Sequence, residues 1–146
     1  FILGITGFSS DKAYENLFET TDYVILYKLS LSYSAIKAKV ERVIENGKKT
    51  GSNNIIRDIK KAKEINSESL RILKKVYERY SNSVIRSQVY QIKFEVDELD
   101  KLVDSFVGNY YKNDGKFRFK DLVMIEKQLY RLEIYFKGLS NTISEL

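Results

Sequence analysis

Two long segments of this chain carry apolar residues at spacings that alternate between three and four, and none of the 146 residues is a proline that would interrupt them. The first segment covers residues 85–110 and the second covers residues 122–146. This spacing puts one apolar stripe along a helix, so each segment is predicted to be an amphipathic helix that packs through its stripe. Leu99 and Leu132 lie near the middle of these stripes and are expected to be buried.

Two further segments show the same periodicity in a less regular form. One covers residues 29–43, and the other covers residues 55–80, where Asn66 and Ser69 interrupt the apolar positions. No stretch alternates with a period of two over a useful length, so no β-sheet is predicted. The sequence therefore predicts four long helices and little else.

Glycine and asparagine mark the breaks between these helices. Residues 46–52 and 113–115 are the clearest breaks, and residues 81–83 form a third. Short connections between long helices favour antiparallel neighbours. The predicted fold is all-α, an up-down-up-down four-helix bundle.

The N-terminal part is expected to add one short element to this bundle. Residues 1–9 are predicted to be a tail, and residues 10–146 to be the helical bundle domain. Ser10 can cap a short extra helix over residues 11–19, and Thr21 can cap the first long helix. Because the chain begins at Phe1 and not at Met, we expect a domain excised from a longer protein.

The composition excludes several kinds of chemistry. The chain has no cysteine and no histidine, which removes disulfide frameworks, Cys/His zinc sites and histidine-based acid–base catalysis. The Gly-Lys-Lys-Thr run at 47–50 lacks the spacing of a phosphate-binding loop and does not follow a strand. Asp97, Glu98 and Asp100 are interpreted as a solvated helix face. We therefore expect a protein that is not an enzyme, without catalytic residues, metal or cofactor.

The net charge of +5 is unevenly distributed, because residues 47–81 hold ten Lys or Arg against four Asp or Glu. In the predicted topology, residues 42–57 and 108–120 meet at one pole of the bundle. The acidic residues in these ranges are Glu45 and Asp114. The basic residues there are Arg42, Lys48, Lys49, Arg57, Lys112, Lys116, Arg118 and Lys120.

Aromatic residues accompany these cations. Tyr110, Tyr111 and Phe117 fall in the same ranges, and basic residues mixed with aromatic ones are typical of a protein-binding surface. Lys116, Arg118 and Lys120 cluster at the start of the last helix, where the helix dipole disfavours positive charge. A local rule broken without evident compensation often marks a functional site. Arg42 is different, because a cation in the last turn of the first helix suits the dipole.

The proline-free helices, the Ile, Lys, Asn and Tyr bias, and the stretch Ser-Ala-Ile-Lys-Ala-Lys-Val-Glu-Arg-Val-Ile at 34–44 resemble the C-terminal domain of the Borrelia fibronectin-binding surface lipoproteins. The resemblance covers essentially the whole chain, although this family has no short diagnostic motif. It implies an extracellular domain on the outer cell surface, held by a lipid anchor upstream of this chain.

The resemblance also implies a partner and two site residues. In that family the helical domain binds the complement protease C1r and inhibits the classical pathway, and an upstream segment binds fibronectin. Arg42 is similar to an important Arg late on the family's first long helix. Lys120 best matches an important Lys near the start of the last helix, and a slip of one or two residues would make Lys116 or Arg118 the equivalent.

Two alternatives remain open. The basic stretch 48–75 could bind a polyanion such as a glycosaminoglycan or a nucleic acid, or the chain could be a related spirochaete surface domain that binds another complement regulator. Fibronectin or glycosaminoglycan binding through parts outside this chain is also compatible with the resemblance. No apolar run is long enough to span a bilayer, so no membrane insertion is expected, and we expect a monomer.

Overall fold

A computed structural model describes residues 21–47 and 53–146 of this chain. They form four α-helices, α1 (Asp22–Asn46), α2 (Asn53–Arg79), α3 (Ser83–Lys112) and α4 (Phe119–Ser144), and these described residues contain no strand. The predicted all-α four-helix bundle is confirmed. The predicted tail over residues 1–9 and the short helix over residues 11–19 lie outside the described residues.

The helix ends fall at the predicted breaks. Gly47 follows α1 with a φ of 66°, a left-handed conformation that glycine adopts without a steric penalty. At the start of α3, the Asn82 side-chain oxygen accepts hydrogen bonds from the backbone N–H groups of Val84 at 2.8 Å and Ile85 at 3.1 Å. Asn82 therefore satisfies two N–H groups that have no partner within the helix, and it fixes where α3 begins.

Contacts between helix ends establish the up-down-up-down order. Asp22 at the start of α1 forms an ion pair of 2.6 Å with Arg79 at the end of α2. Ser140 near the end of α4 donates a 2.6 Å hydrogen bond to the backbone carbonyl of Tyr23. Each helix packs against its sequence neighbours, and α1 also packs against α4 and closes the bundle. The ends of α1 and α3 therefore share one pole with the starts of α2 and α4.

The predicted apolar stripes meet in a single core. All eight stripe positions of α3 are buried, and so are seven of the eight positions predicted for α4. Leu99 and Leu132 have no exposed surface, as predicted. The exception is Leu146, which is exposed because α4 ends at Ser144.

The polar interruption in α2 is part of a buried hydrogen-bond network. The Tyr33 hydroxyl on α1 donates to the Asn66 side-chain oxygen at 2.7 Å and lies 2.8 Å from the Ser69 hydroxyl. The Asn66 amide donates to the backbone carbonyl of Val96 at 3.3 Å and to the Asp100 carboxylate at 2.6 Å. Burial raises the pKa of Tyr33, so its hydroxyl stays protonated and can donate. Asp100 therefore belongs to a contact between helices and not to the solvated face that the sequence predicts.

A second polar contact joins α3 to α4 around Glu95, whose side chain is buried. The Gln128 amide donates to the Glu95 carboxylate at 2.8 Å and to its backbone carbonyl at 2.9 Å. Arg131 donates to both carboxylate oxygens, at 2.8 and 3.1 Å. These hydrogen bonds, with Arg131 the largest contribution, hold the pKa of Glu95 below its ordinary value.

Candidate functional site at one pole of the bundle

Six of the predicted basic residues lie at the pole where α1 and α3 end and α2 and α4 begin. All six side chains are exposed. We call this set the cationic pole, and its members are Arg42, Arg57, Lys112, Lys116, Arg118 and Lys120. Lys48 and Lys49, which we also predicted to be part of the binding surface, lie outside the described residues.

The turn between α3 and α4 determines how the cations on this side are presented. Asp114 and Gly115 both have positive φ, 56° and 81°. The Gly115 N–H donates to the Tyr110 carbonyl at 2.8 Å, and a Cβ at Gly115 would lie 3.5 Å from the Tyr110 hydroxyl oxygen. A side chain at this position would combine an unfavourable backbone conformation with contact against that ring. Gly115 therefore permits the tight turn that places Lys116 at the edge of the pole.

The same turn corrects the expectation that Tyr110 belongs to the exposed surface. Tyr110 is only 7% exposed and Phe117 only 9%, and both pack in the hydrophobic core. Their rings are stacked with centroids 6.3 Å apart, and Phe117 also packs against Phe106 at 5.4 Å. The turn directs the chain back over the end of α3, so these aromatic rings close the core beneath the cationic pole instead of facing solvent.

Tyr111 is the aromatic residue that does face solvent at this pole. It is 60% exposed. The Lys60 ammonium on α2 donates a 3.0 Å hydrogen bond to the Tyr111 hydroxyl and lies 5.0 Å from the centroid of its ring. A cation over an aromatic face is attracted by the electrons of the ring. Lys60, interpreted from the sequence only as part of the basic stretch 48–75, thus joins α2 to the end of α3 at the edge of the pole.

The positive charge of Arg118, which the helix dipole disfavours, is compensated by a nearby carboxylate. It occupies the position just before α4, and its guanidinium donates to both Asp121 carboxylate oxygens at 3.2 Å. Asp121 lies in the first turn of α4, where a negative charge is favourable to the helix dipole. The expectation of an uncompensated cation at Arg118 is therefore wrong, because Asp121 neutralises it.

The cations at positions 42, 116 and 120 have no such compensation. Within the described residues, Arg42, Lys116 and Lys120 have no ion-pair or hydrogen-bond partner for their charged groups. Lys112 has none either, but it lies in the last turn of α3, where the helix dipole favours a cation. Arg42 lies just before the last turn of α1, which contains no basic residue. The sequence-based explanation of Arg42 as a cation within that last turn therefore does not apply.

A groove of about 490 Å³ opens between the end of α3 and the turn to α4. Phe106 and Phe117 form its apolar floor, and Lys116 and Arg118 lie on its rim. Cations beside an apolar depression give a partner both a charge contact and a small surface to bury.

One feature of this region is absent from the sequence-based prediction. Glu41 on α1 and Glu126 on α4 bring their carboxyl groups close together across the seam between these helices. Burial, and then the nearby carboxyl group of Glu41, raise the pKa of Glu126. The sequence separates these two residues widely, so only the α1–α4 pairing could have identified them.

Comparisons with known proteins identify no relative of this chain. A scan against protein-family models finds no match, and searches of curated proteins and of solved structures find none either. Among the described helices, none combines the length and the apolarity that crossing a bilayer requires. The fold and the site thus define a class only, a helical bundle that presents exposed cations at one pole.

Proposed function

We propose that this chain is a non-enzymatic protein-binding domain, and that its cationic pole binds the complement protease C1r and inhibits the classical pathway. The observation that carries the proposal is the set of four exposed cations at this pole that have no ion-pair or hydrogen-bond partner among the described residues, Arg42, Lys112, Lys116 and Lys120. Charged groups that form no ion pair or hydrogen bond within the described part of the protein give up none when a partner binds them. The choice of C1r comes from the resemblance of residues 34–44 to the Borrelia family.

The mechanism follows from the specificity of trypsin-like proteases. Such enzymes bind Arg or Lys of a substrate in an acidic pocket. A basic side chain that projects from a helix can fill that pocket while the helical backbone does not adopt the extended shape needed for cleavage. The bound pole would then compete with substrates without being cut.

The surroundings of the individual cations refine the choice of anchors. Arg118 would have to give up its two hydrogen bonds to Asp121 before it could bind an acidic partner. Lys120 and Lys116 carry no such cost. Because the resemblance matches Lys120 best, Lys120 remains the first candidate for the second anchor beside Arg42, with Lys116 next.

The proposal is tested by surface plasmon resonance of the folded protein against C1r. Each of the changes Arg42→Ala and Lys120→Ala is expected to weaken binding by about 2 kcal/mol or more, roughly 30-fold in Kd, as hot-spot residues do. The matched control is the double variant Lys61→Ala, Lys75→Ala, which removes two exposed charges from α2 outside the cationic pole. We expect the control to bind within about threefold of the parent.

Two results would contradict the proposal at different levels. If the Arg42→Ala, Lys120→Ala double variant is folded by circular dichroism and binds as tightly as the parent, these residues are not the anchors. If the parent shows no binding to immobilised C1r, the function itself is wrong.

Polyanion binding is less well supported by the structure. Several cations of the basic stretch on α2 already have partners. Lys63 pairs with Asp104 at 2.7 Å, Lys60 binds Tyr111, and Arg71 pairs with Glu68. A polyanion would have to compete with these contacts. The polyanion function would be favoured over a protein-binding one by two results together. Heparin binding would weaken steeply as the salt concentration rises, and removing the charge at Lys61 would weaken it as much as removing the charge at Lys120.

A further inference from the structure

A second groove lies between α2 and α3, in the half of the bundle away from the cationic pole. Its volume is about 540 Å³, within the range of roughly 300–1,000 Å³ typical of small-molecule sites. Its lining is mainly apolar. The apolar and aromatic lining residues are Leu70, Leu73, Val89, Tyr77 and Tyr90, and the charged ones are Lys74, Glu78 and Lys93.

The floor of the groove is fixed by the core. Leu73 and Val89 are buried at 2% and 4% exposure, so they face the groove from well-packed positions. Tyr77 on α2 and Tyr90 on α3 meet in an edge-to-face contact with 5.5 Å between centroids, and together they form an aromatic wall that crosses from one helix to the other.

Arg86 holds this wall in place. Its guanidinium lies 4.3 Å from the centroid of the Tyr77 ring and donates to the backbone carbonyls of Tyr77 and Tyr80 at 3.2 and 2.9 Å. The groove is therefore a preformed feature of the α2–α3 packing, and its aromatic wall does not depend on a ligand.

The charges at the rim indicate what the groove can accept. Lys74 reaches it from α2 and Lys93 from α3, and neither ammonium group has an ion-pair or hydrogen-bond partner among the described residues. Glu78, also at the rim, has no partner within the same residues, so the rim carries a net charge of +1. An apolar floor with two unpartnered lysines on opposite walls is complementary to an apolar group that ends in one negative charge.

The length of the groove indicates which kind of ligand it fits, a single hydrocarbon chain or a helix of a partner protein. Its α2 wall extends from Leu70 to Glu78, about 12 Å at roughly 1.5 Å per residue. That is about two helical turns, too short to bury the apolar face of a typical helix of three or more turns. One unbranched hydrocarbon chain can lie along it.

We infer that the groove between α2 and α3 binds amphiphilic carboxylates, with the hydrocarbon chain against Leu70, Tyr77 and Tyr90 above the buried floor of Leu73 and Val89, and with the carboxylate between Lys74 and Lys93. Tyr90, which is 62% exposed, covers one side of the chain. This inference is independent of the proposed protease binding, because it uses none of the residues of the cationic pole.

The experiment is isothermal titration of the whole chain with dodecanoate below its micelle concentration, with amide NMR shifts to locate the site. Dodecanoate is expected to bind one equivalent and to shift the amides of residues 70–78 and 89–93. The double variant Lys74→Gln, Lys93→Gln should bind at least about fivefold more weakly. Dodecanol, which has the same chain without the charge, should also bind more weakly than dodecanoate. The matched control Lys61→Gln, Lys101→Gln removes two exposed charges from the same helices, outside both the groove and the cationic pole, and should bind as the parent does.

Four results of the binding experiment would overturn the inference. These are no saturable binding of dodecanoate, equal binding of dodecanol, unchanged binding in the Lys74→Gln, Lys93→Gln variant, and equal loss in the control variant. A concentration-dependent dimer that Tyr90→Ser abolishes would also overturn it, because the groove would then be the contact with a second copy. Tyr90 is exposed, so Tyr90→Ser is expected to fold, and circular dichroism checks this.

Discussion

At the scale of single residues, Glu95 shows how a charge is accommodated inside this bundle. Its side chain is nearly inaccessible, yet it accepts hydrogen bonds from Gln91, Gln128 and Arg131. A buried carboxylate is costly to desolvate unless its oxygens are satisfied in this way. Arg131 remains half exposed, so the arrangement ties a buried anion to a cation at the surface.

Replacing Glu95 by Ala is expected to lower the free energy of unfolding by about 1–3 kcal/mol, because the buried amide of Gln128 loses its carboxylate acceptor. The pKa of Glu95 is depressed in the folded state, so its contribution is present above the pKa of the unfolded chain and is lost as the pH falls through the folded value. Urea unfolding at pH 7 and at pH 3 measures both effects, and the difference between parent and variant should shrink at pH 3.

Glu98→Ala is the matched control for this prediction. Glu98 lies on the same helix and pairs with the exposed Lys101 at 3.2 Å. A change within about 0.5 kcal/mol is expected, as for most surface substitutions. Equal effects at Glu95 and Glu98 would contradict the structural role given to the buried contact.

At the scale of elements, the seam between α1 and α4 contains favourable and unfavourable charge contacts. Lys37 on α1 lies 3.1 Å from the Glu133 carboxylate and 4.7 Å from the centroid of the Tyr130 ring, and both partners are on α4. Further along the same seam, Glu41 and Glu126 bring two carboxyl groups together. The α1–α4 seam is thus stabilised near its middle by the Lys37–Glu133 ion pair. Nearer to the cationic pole, Glu41 and Glu126 repel each other when both are charged.

Glu126→Gln is expected to stabilise the bundle at neutral pH. The pKa of Glu126 is raised in the folded state, so the folded form is favoured while this carboxyl is protonated, and that advantage is lost as the pH rises through the folded pKa. Removing the charge should raise the Tm at pH 7 by about 1–4 °C. Thermal melts across pH 4–8 measure this, and the gain should fade toward pH 4.

Glu64→Gln on the exposed face of α2 serves as the control, because Glu64 makes no ion pair or hydrogen bond within the described residues. Its Tm should follow that of the parent at every pH. A gain at Glu126 that does not depend on pH would show that the two carboxyl groups do not repel each other in the folded protein.

At the scale of the whole molecule, one hydrophobic cluster contains residues of all four helices. The buried hydrogen bonds of Tyr33, Asn66 and Asp100 link α1, α2 and α3, and the Glu95 contacts link α3 to α4. No helix can leave the bundle without exposing core residues of its neighbours. The two proposed sites lie in opposite halves of this single unit.

This arrangement predicts that the protein unfolds as one cooperative unit. Circular dichroism, which reports all four helices, and tyrosine fluorescence, which reports tertiary packing around rings such as Tyr33 and Tyr110, should give the same urea midpoint. Two separate midpoints would show that part of the bundle unfolds independently. The Leu99→Ala variant should shift both signals together to lower urea, because it removes buried methyl groups from the shared core.

The predictable part of the candidate site was its composition and its location. Alternating apolar spacing and the breaks were enough to order four helices, and that order brings Arg42 and Lys120 to the same pole. The direction of individual side chains was less accessible. Tyr110 continues the apolar stripe of α3 and is buried there, yet its place among basic residues also favoured a surface role. Its burial could have been inferred if the apolar stripe had been given more weight than the basic neighbours of Tyr110.

The sequence by itself determined the class of fold, the helix boundaries and most of the core, because these depend on periodicity and on local backbone preferences that operate over a few residues. Only the tertiary structure decided which polar groups meet across helices. Whether Asn66 meets Asp100 and whether Glu41 faces Glu126 depends on the rotation and register of packed helices, whereas the Arg118–Asp121 pair is a local contact three residues apart. The groove between α2 and α3 arises in the same way, since its floor and its two lysines come from helices that meet only after the core has formed.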